Sequence, residues 1–310
     1  MAAQSACCGP GRENGEGGSS PQDGPREATT ASRDLLEELA AGVPEQLSLV
    51  GLTGGRFLMG SQEPPAYPQD GEGPVREVEV APFAIGAAAV TVAQFAAFVL
   101  ASGYRTEAEA FGDSLVFDGL VAPSLRRRLP SVAATPWWKL VPGACWFRPE
   151  GPDSTVRGRE DHPVTHVSHR DAQAYARWAG ARLPHEAEWE FAARGGLEQQ
   201  HYPWGSEREP AGERRMNIFP GEFPHAPDGA VGTMPARSFE PNGYGLYNTT
   251  GNVWEWTAGV FASGDERPVM RGGSYMCHES YCQRYRTSAR SASTADTSLG
   301  HTGFRIAMST

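Results

Sequence analysis

The sequence has little lysine, little cysteine and no long apolar run, and each shortage weighs against a class of protein. Lys139 is the only lysine among 27 basic residues, and the formal net charge is −10. This balance disfavours a protein that binds a nucleic-acid backbone through bulk positive charge. No apolar run approaches the ~18 residues that a membrane-spanning helix needs. We therefore expect neither a nucleic-acid partner nor a membrane span.

The composition of the first 45 residues predicts a disordered or weakly helical N-terminal tail. Residues 1–32 are rich in Gly, Ser, Pro and Glu and contain almost no large apolar side chains, so they cannot bury enough surface to fold. Residues 33–39 could form a short amphipathic helix. A secretory signal needs a basic start and an apolar run, and neither is present in this segment. Two of the five cysteines, Cys7 and Cys8, lie in this tail, which leaves too few for a secreted disulfide framework. We expect a cytoplasmic protein.

Regular secondary structure is predicted for only a small part of the remaining chain. Helical patterns cover residues 90–102, 168–179 and 184–194, with Thr91 and Ser168 as N-caps and Pro184 in the first turn of the third helix. Strand-like alternation occurs at residues 75–80 and 56–59. Long stretches rich in Gly, Pro, Asn and Trp separate these patterns. The sequence predicts a single α+β domain over residues 46–310, with irregular segments packed by aromatic side chains and held by bound cations.

Cys277 and Cys282 carry the most distinctive chemistry in the sequence. They lie five residues apart after a Gly-Gly turn, in MRGGSYMCHESYCQRYRTSAR at residues 270–290. Four nearby cationic side chains would favour thiolates: His278, Arg284, Arg286 and Arg290. A structural zinc site needs four ligands, and no second cysteine pair is present. Three interpretations stay open on spacing alone: two buried thiols, a redox disulfide, and a two-thiolate site for a soft ion such as Cu(I).

Several oxygen-bearing residues lie in the turn-rich segments of the C-terminal half. Asn217, Asp228, Asn248, Asn252 and Glu255 have the side-chain oxygens that calcium prefers. Ordinary Asx turns use the same residue types. From the residues alone, Asx turns are therefore the better interpretation.

Motifs spread over residues 52–307 resemble the formylglycine-generating enzymes, the sulfatase-modifying factor family. They include GGRFLMG at 54–60, DHPVTHVS at 161–168 and NGYGLYNTTGNVWEWT at 242–257. The most specific motif is RGGSYMCHESYCQRYR at 271–286, because non-catalytic relatives lack its cysteine pair. The chain resembles a prokaryotic-type member with the formylglycine-generating-enzyme or C-type-lectin-like fold.

The resemblance implies an oxidase that acts on protein. Members of the family oxidise the cysteine of a Cys-x-Pro-x-Arg segment in nascent or unfolded sulfatases to Cα-formylglycine, using O2 and Cu(I). The copper ligands would be Cys277 and Cys282, which face each other at the floor of a peptide-sized cleft. Ser274 would support oxygen activation, and Trp254 matches an active-site tryptophan. The alternative is a non-catalytic sulfatase-binding paralogue on the same fold. We expect the chain to be monomeric.

The resemblance also implies two structural calcium sites. The first would use the side chains of Asn217 and Asp228 and the carbonyls of Ile218 and Ala230. The second would use Asn248, Gly251, Val253 and Glu255. Residues 224–228 form a shorter segment than is usual in the family.

Overall fold

Short helices and strands alternate with long irregular segments in the computed structural model, which describes residues 11, 28–43 and 48–310. Cys7 and Cys8 lie outside these residues. The six helices assigned in the described residues are α1 Arg33–Ala40, α2 Val92–Ser102, α3 Glu107–Phe111, α4 Pro123–Arg126, α5 His169–Trp178 and α6 Glu186–Ala193. None of these helices is long and apolar enough to cross a membrane.

The helix termini follow local sequence signals. The Thr91 hydroxyl accepts a hydrogen bond from the Gln94 amide, and Ser168 does the same for Asp171; each pair forms a capping box. The predicted helices at 90–102 and 168–179 are therefore confirmed as α2 and α5. The third prediction needs a correction. Its helix, α6, begins at Glu186 after His185, so Pro184 precedes the N-cap and is not in the first turn.

The strands form four small sheets. The first half of the chain supplies β1 Leu49–Leu52, β2 Gly55–Met59, β3 Arg76–Val80, β4 Phe83–Gly86, β5 Asp113–Phe117, β6 Ser131–Val132 and β7 Thr135–Pro142. The second half supplies β8 Trp254–Ala262, β9 Asp265–Arg271, β10 Arg290–Ala292, β11 Thr302–Phe304 and β12 Ala307–Ser309. Their orders are β1-β4-β12, β10-β9-β8-β11, β2-β3 and β5-β7-β6. The predicted α+β class is confirmed.

The four-stranded sheet positions the segments discussed below. Strands β8 and β9 form an antiparallel hairpin, and β11 pairs with β8 in parallel, with Thr302 opposite Trp254. The end of β9, the start of β8 and the residues before β11 are therefore neighbours. The largest buried cluster includes Trp254, Trp256, Met270 and Phe304 from this sheet.

Helix α1 lies in the segment that the sequence assigned to the tail, yet it packs on the domain. Leu36 and Leu39 are buried in the same cluster as Phe95 and Phe98 of α2. The predicted amphipathic helix is therefore present, and its apolar face is covered by the core.

Side chains stabilise the irregular segments. Residues 194–253 contain a single 3₁₀ turn at Pro210–Gly212 and no other assigned helix or strand. The Asn242 amide donates to the carbonyls of Ala192 and Ala193 at the end of α6, and its oxygen accepts from Tyr244 and Leu246. One side chain thus replaces several backbone hydrogen bonds, which is how such a loop satisfies its polar groups.

Candidate active site

A tight glycine turn positions the cysteine segment. Strand β9 ends at Arg271, and Gly272 and Gly273 follow with φ of 96° and 72°. A Cβ on Gly273 would lie 2.8 Å from the carbonyl oxygen of Arg284 and from the Cα of Tyr285. Only glycine tolerates both the left-handed backbone and this close approach. The turn therefore packs the start of the cysteine segment against its own end.

The two cysteine sulfurs meet beneath this turn. Cys277 Sγ and Cys282 Sγ are 3.6 Å apart, well beyond the ~2.05 Å of a disulfide bond. Neither residue is in a disulfide bond. Backbone turns hold them: the Cys277 amide donates to the carbonyl of Ser274, and the Cys282 amide donates to the carbonyl of His278. The two thiols lie close enough to bind one common ion.

Ser274 links this pair to a histidine that the sequence analysis missed. The Ser274 amide donates to Cys277 Sγ at 3.4 Å, and the Ser274 hydroxyl lies 3.0 Å from His301 Nδ1. His301 is 1% exposed, and its carbonyl accepts from the amide of Trp254. His301 lies 27 residues after Ser274 in the sequence and belongs to no short motif. The parallel pairing of β11 with β8 brings it next to Ser274.

One cation contacts the pair, whereas the sequence analysis expected four. Arg284 Nη1 lies 3.8 Å from Cys282 Sγ, while its Nε donates to Asp70 at 2.5 Å and its guanidinium covers the Tyr67 ring at 4.0 Å. A buried guanidinium beside sulfur stabilises a thiolate. The other three have different partners: Arg286 pairs with Glu72, Arg290 with Glu186, and His278 bonds Ser280.

Trp254 provides an unused hydrogen-bond donor at the start of β8. The residue is fully buried, and its Nε1 has no hydrogen-bond partner among the described residues. A buried indole N–H without a partner costs free energy. A hydrogen bond from this N–H to a bound molecule would remove that cost.

Aromatic side chains pack against the cluster that contains the cysteines. Tyr281 stacks on Phe223 with 4.3 Å between ring centroids, and Trp204 stacks on Tyr202 at 5.3 Å. Tyr281 and Trp204 are both half-buried. The cysteines themselves are only 2% and 1% exposed. Both cysteines are therefore almost completely covered by neighbouring side chains.

The donor set of the cysteine pair fits a soft monovalent ion. Two thiolates suit Cu(I), which accepts low coordination numbers, better than they suit zinc. No group of three or more His, Cys, Asp or Glu side chains with metal-binding geometry occurs in the described part of the chain. This agrees with a site of two protein ligands and gives no third ligand for zinc.

An arginine is hydrogen-bonded to two of the four oxygens of the first predicted calcium group. Asn217 and Ile218 are buried, but Asp228 and Ala230 are exposed. The Asn217 Oδ1 and the Ile218 carbonyl both accept hydrogen bonds from Arg214 Nη2, at 3.2 and 3.0 Å. Since a guanidinium already binds two of the four expected oxygens, this arrangement does not fit a calcium ion.

The second predicted calcium group keeps part of its ligand capacity. It consists of Asn248, Gly251, Val253 and Glu255. The Glu255 Oε2 accepts from Trp189 Nε1 at 2.7 Å and from Arg305 Nε at 2.6 Å, while Oε1 accepts one bond, from Arg305 Nη2 at 2.8 Å. The Asn248 amide nitrogen donates to the carbonyls of Pro235 and Ala236. Unlike the neutral oxygens that bind Arg214, this carboxylate carries a negative charge, so its pairing with Arg305 leaves the group neutral. Since a carboxylate oxygen accepts about two bonds, Oε1 has a lone pair left for a cation.

Comparison with known proteins gives a consistent family relationship. The profile of the sulfatase-modifying factor enzyme 1-like domain matches residues 37–310. The formylglycine-generating enzyme of Thermomonospora curvata is 51% identical over 292 residues, which is 87% of this chain and 94% of that protein. The enzyme of the same name from Streptomyces coelicolor is 52% identical over 277 residues, which is 83% of this chain and 88% of that protein.

Two further similarities limit the interpretation. The protein named inactive Cα-formylglycine-generating enzyme 2 from Mus musculus is 46% identical over 87% of this chain and 89% of that protein. The structure of PvdO from Pseudomonas aeruginosa superposes with a TM-score of 0.57 at 24% identity, over 84% of this chain and 94% of that one. The structural similarity supports the fold alone, and overall similarity does not separate active from inactive relatives.

Proposed function

Because the chain belongs to the sulfatase-modifying factor enzyme family, we propose that it is a formylglycine-generating enzyme. It oxidises the cysteine of a Cys-x-Pro-x-Arg segment in a sulfatase to Cα-formylglycine, with O2 as the oxidant. The substrate carbon loses two electrons and its sulfur leaves as sulfide. Reduction of O2 to water takes four electrons, so an external thiol supplies the other two.

One observation supports this function over the alternative of a non-catalytic sulfatase-binding paralogue. The thiols of Cys277 and Cys282 lie 3.6 Å apart and are not joined by a disulfide bond. A protein that only binds sulfatases has no use for two paired, buried thiols. An oxidase does, because activation of O2 against a C–H bond requires a metal or an organic cofactor.

Cys277 and Cys282 would hold Cu(I). Bound there, this ion supplies the reactivity toward O2 that no amino-acid side chain provides. The protein's part is to present two sulfurs without further ligands, which leaves space for the thiolate of the substrate. Burial also keeps bulk water away from the reacting carbon.

Ser274 and Arg284 contact the two sulfurs, and His301 acts on them through Ser274. The Ser274 amide donates to Cys277 Sγ, and Arg284 lies against Cys282 Sγ. Both contacts favour the thiolate form. His301 Nδ1 holds the Ser274 hydroxyl, so Ser274 is oriented as a donor or acceptor next to Cys277. Trp254 adds a buried N–H for hydrogen bonding.

The remaining expectations are part of the same proposal. The partner is a nascent or unfolded sulfatase, since a folded one could not insert its cysteine beside two buried thiols. The protein acts in the cytoplasm, a compartment in which the free thiols of Cys145, Cys277 and Cys282 persist. Calcium is retained only at the second group, where Glu255 has capacity left. The chain acts as a monomer, which sedimentation equilibrium can check.

The activity can be tested with the purified full chain, Cu(I), O2, dithiothreitol and a Leu-Cys-Thr-Pro-Ser-Arg peptide. We expect a mass loss at the peptide cysteine and capture of an aldehyde by a hydrazide. A peptide with alanine in place of the cysteine serves as the control. If the fully copper-loaded wild type produces no aldehyde, the proposed function is wrong.

We predict that His301 acts as a positioning residue through Ser274. His301→Ala should lower kcat roughly 10–100-fold, as loss of outer-shell partners does at metal sites, while KM for the peptide stays nearly constant. His301→Asn should recover much of the loss, because its amide can replace Nδ1 in the bond to Ser274 Oγ.

Rescue by His301→Asn, with kcat expressed per folded and copper-loaded protein, distinguishes this role from a structural one. A variant that is merely less stable would lose active protein, and the conservative variant would not restore it. Equal values of kcat for His301→Ala and wild type, at matched copper loading, would remove His301 from the mechanism.

A further inference from the structure

The segment that resembles a calcium site contains an arginine where the cation is expected. Arg214 Nη2 donates to Asn217 Oδ1 at 3.2 Å and to the Ile218 carbonyl at 3.0 Å, and Arg214 Nε donates to the Met216 carbonyl at 3.0 Å. Three oxygens of consecutive residues therefore surround one guanidinium. We propose that the Arg214 guanidinium takes the place of the first calcium ion, so that this segment folds without metal.

The chemistry of the oxygens supports this exchange. All three are uncharged amide or carbonyl oxygens, and no acidic side chain pairs with Arg214 among the described residues. Arginine normally pairs with carboxylates or phosphates, whereas neutral carbonyl oxygens are common calcium ligands. The set thus has the composition of a metal site and binds a side-chain cation instead.

The other residues of the first predicted calcium group are also consistent with an arginine in place of the calcium ion. Asp228, the only carboxylate among the four expected ligands, is exposed. The Asn217 amide nitrogen donates to the Gly232 carbonyl at 2.8 Å and to Asn252 Oδ1 at 3.1 Å. These two bonds fix the orientation of the Asn217 amide, so that its oxygen, and not its nitrogen, faces Arg214.

Electrostatics makes the two cations exclusive. A guanidinium and a calcium ion on the same two oxygens would be a few ångströms apart, and such like charges repel strongly. A site with Arg214 in place therefore has no affinity for calcium. Removal of the guanidinium would leave buried carbonyl oxygens open to a metal ion.

Arg215 provides a matched control. It lines the same cavity of about 200 Å³ as Arg214, carries the same charge and is the next residue in the chain. Its only described ion pair is the exposed contact with Glu213 at 3.4 Å. Arg215→Ala therefore removes one charge without opening the oxygens of residues 216–218.

The experiment compares wild type, Arg214→Ala and Arg215→Ala in EGTA and in millimolar CaCl2. In EGTA, Arg214→Ala should lower the unfolding temperature by roughly 5 °C, because hydrogen bonds from a charged group are lost, and Arg215→Ala should change it little. Calcium should restore the unfolding temperature of Arg214→Ala alone. Titration calorimetry should give this variant one calcium equivalent more than wild type.

Asp228→Ala tests whether wild type binds calcium at these oxygens. Its bound equivalents should equal those of wild type, and a loss of one equivalent would overturn the proposal. The proposal also fails if Arg214→Ala and Arg215→Ala unfold at the same temperature in EGTA, or if calcium does not stabilise Arg214→Ala. Calcium at the second group contributes equally to all variants, so it cancels in each comparison.

Discussion

Replacement of Cys277 or Cys282 by serine should abolish aldehyde formation while leaving the fold intact. In the proposed copper site each sulfur is one of two protein ligands, and the two sulfurs lie 3.6 Å apart. A serine oxygen is a poor ligand for a soft ion. We expect turnover to fall on the order of 10³-fold or more in either variant, as for residues that act as a unit.

Cys145→Ser is the control for the removal of a buried thiol. Cys145 is also free and buried, and burial raises the pKa of its thiol to about 12. It is therefore inert at neutral pH and should be replaceable without loss of turnover. Measurements are peptide conversion by mass spectrometry, copper binding by competition with a chelator, and the unfolding temperature.

The double variant Cys277→Ser/Cys282→Ser should be no less active than either single variant, because one missing ligand already removes the site. Normal turnover in one single variant would show that the other cysteine alone suffices, and the two-thiolate arrangement would then be wrong. Loss of activity in Cys145→Ser with an unchanged unfolding temperature would likewise contradict the assignment.

The parts of the fold that the sequence predicts are those encoded locally. Thr91 and Ser168 cap α2 and α5 through bonds to residues three positions away, and Gly103 ends α2 in the left-handed conformation. Such signals need no knowledge of distant segments. The error at α6 has a local cause too, because a proline is tolerated both before the N-cap and in the first turn.

The contacts that complete the site are not local, and therefore the residue pattern did not predict them. His301 reaches Ser274 because β11 pairs in parallel with β8. Arg284 was expected beside the thiols together with three other cations. Arg286 and Arg290 pair instead with acids from elsewhere in the chain, and His278 bonds the neighbouring Ser280. Arg286, for example, pairs with Glu72, 214 residues away. The number of cationic residues close to the cysteines in the sequence therefore overestimates the positive charge that surrounds the sulfurs in the structure.

Arg214 shows the limit of inference from resemblance. A motif match transfers ligands residue by residue, and Asn217 and Ile218 are present as expected. Whether their oxygens bind a metal depends on which other cations contact them. Here the guanidinium of Arg214, three residues before Asn217, contacts them instead. The sequence contains this arginine, but only the folded loop shows that it turns back onto the oxygens.

Replacement of Glu190 by glutamine should produce a large loss of stability. Glu190 is fully buried; its Oε2 accepts from Arg271 Nη2 at 2.5 Å, and its Oε1 accepts from Arg194 Nη2 and from the amide of Gly60, both at 2.7 Å. The carboxylate thus neutralises two buried guanidinium groups. Its loss leaves Arg194 without its acidic partner and leaves Arg271 with Glu186 alone. Removal of one partner of a buried pair costs about 3–5 kcal/mol.

Glu37→Gln is a matched control because the pair Arg33–Glu37 has the same four-residue helical spacing as Glu190–Arg194. The side chains of Arg33 and Glu37 are 79% and 52% exposed, against 5% and 0% for Arg194 and Glu190. An exposed pair of this kind contributes about 0.5 kcal/mol or less. The same substitution is therefore made at the same spacing, and burial is the main difference.

The measurement is chemical denaturation together with thermal unfolding of both variants. Glu190→Gln should lower the unfolding temperature on the order of 10 °C, whereas Glu37→Gln should shift it by a degree or two. The effect also bears on the site, since Arg271 is the last residue of β9 and the Gly272–Gly273 turn to the cysteine segment follows it directly. Equal shifts for the two variants would mean that the buried carboxylate is not needed to neutralise Arg271 and Arg194, and that the packing around them provides the stability.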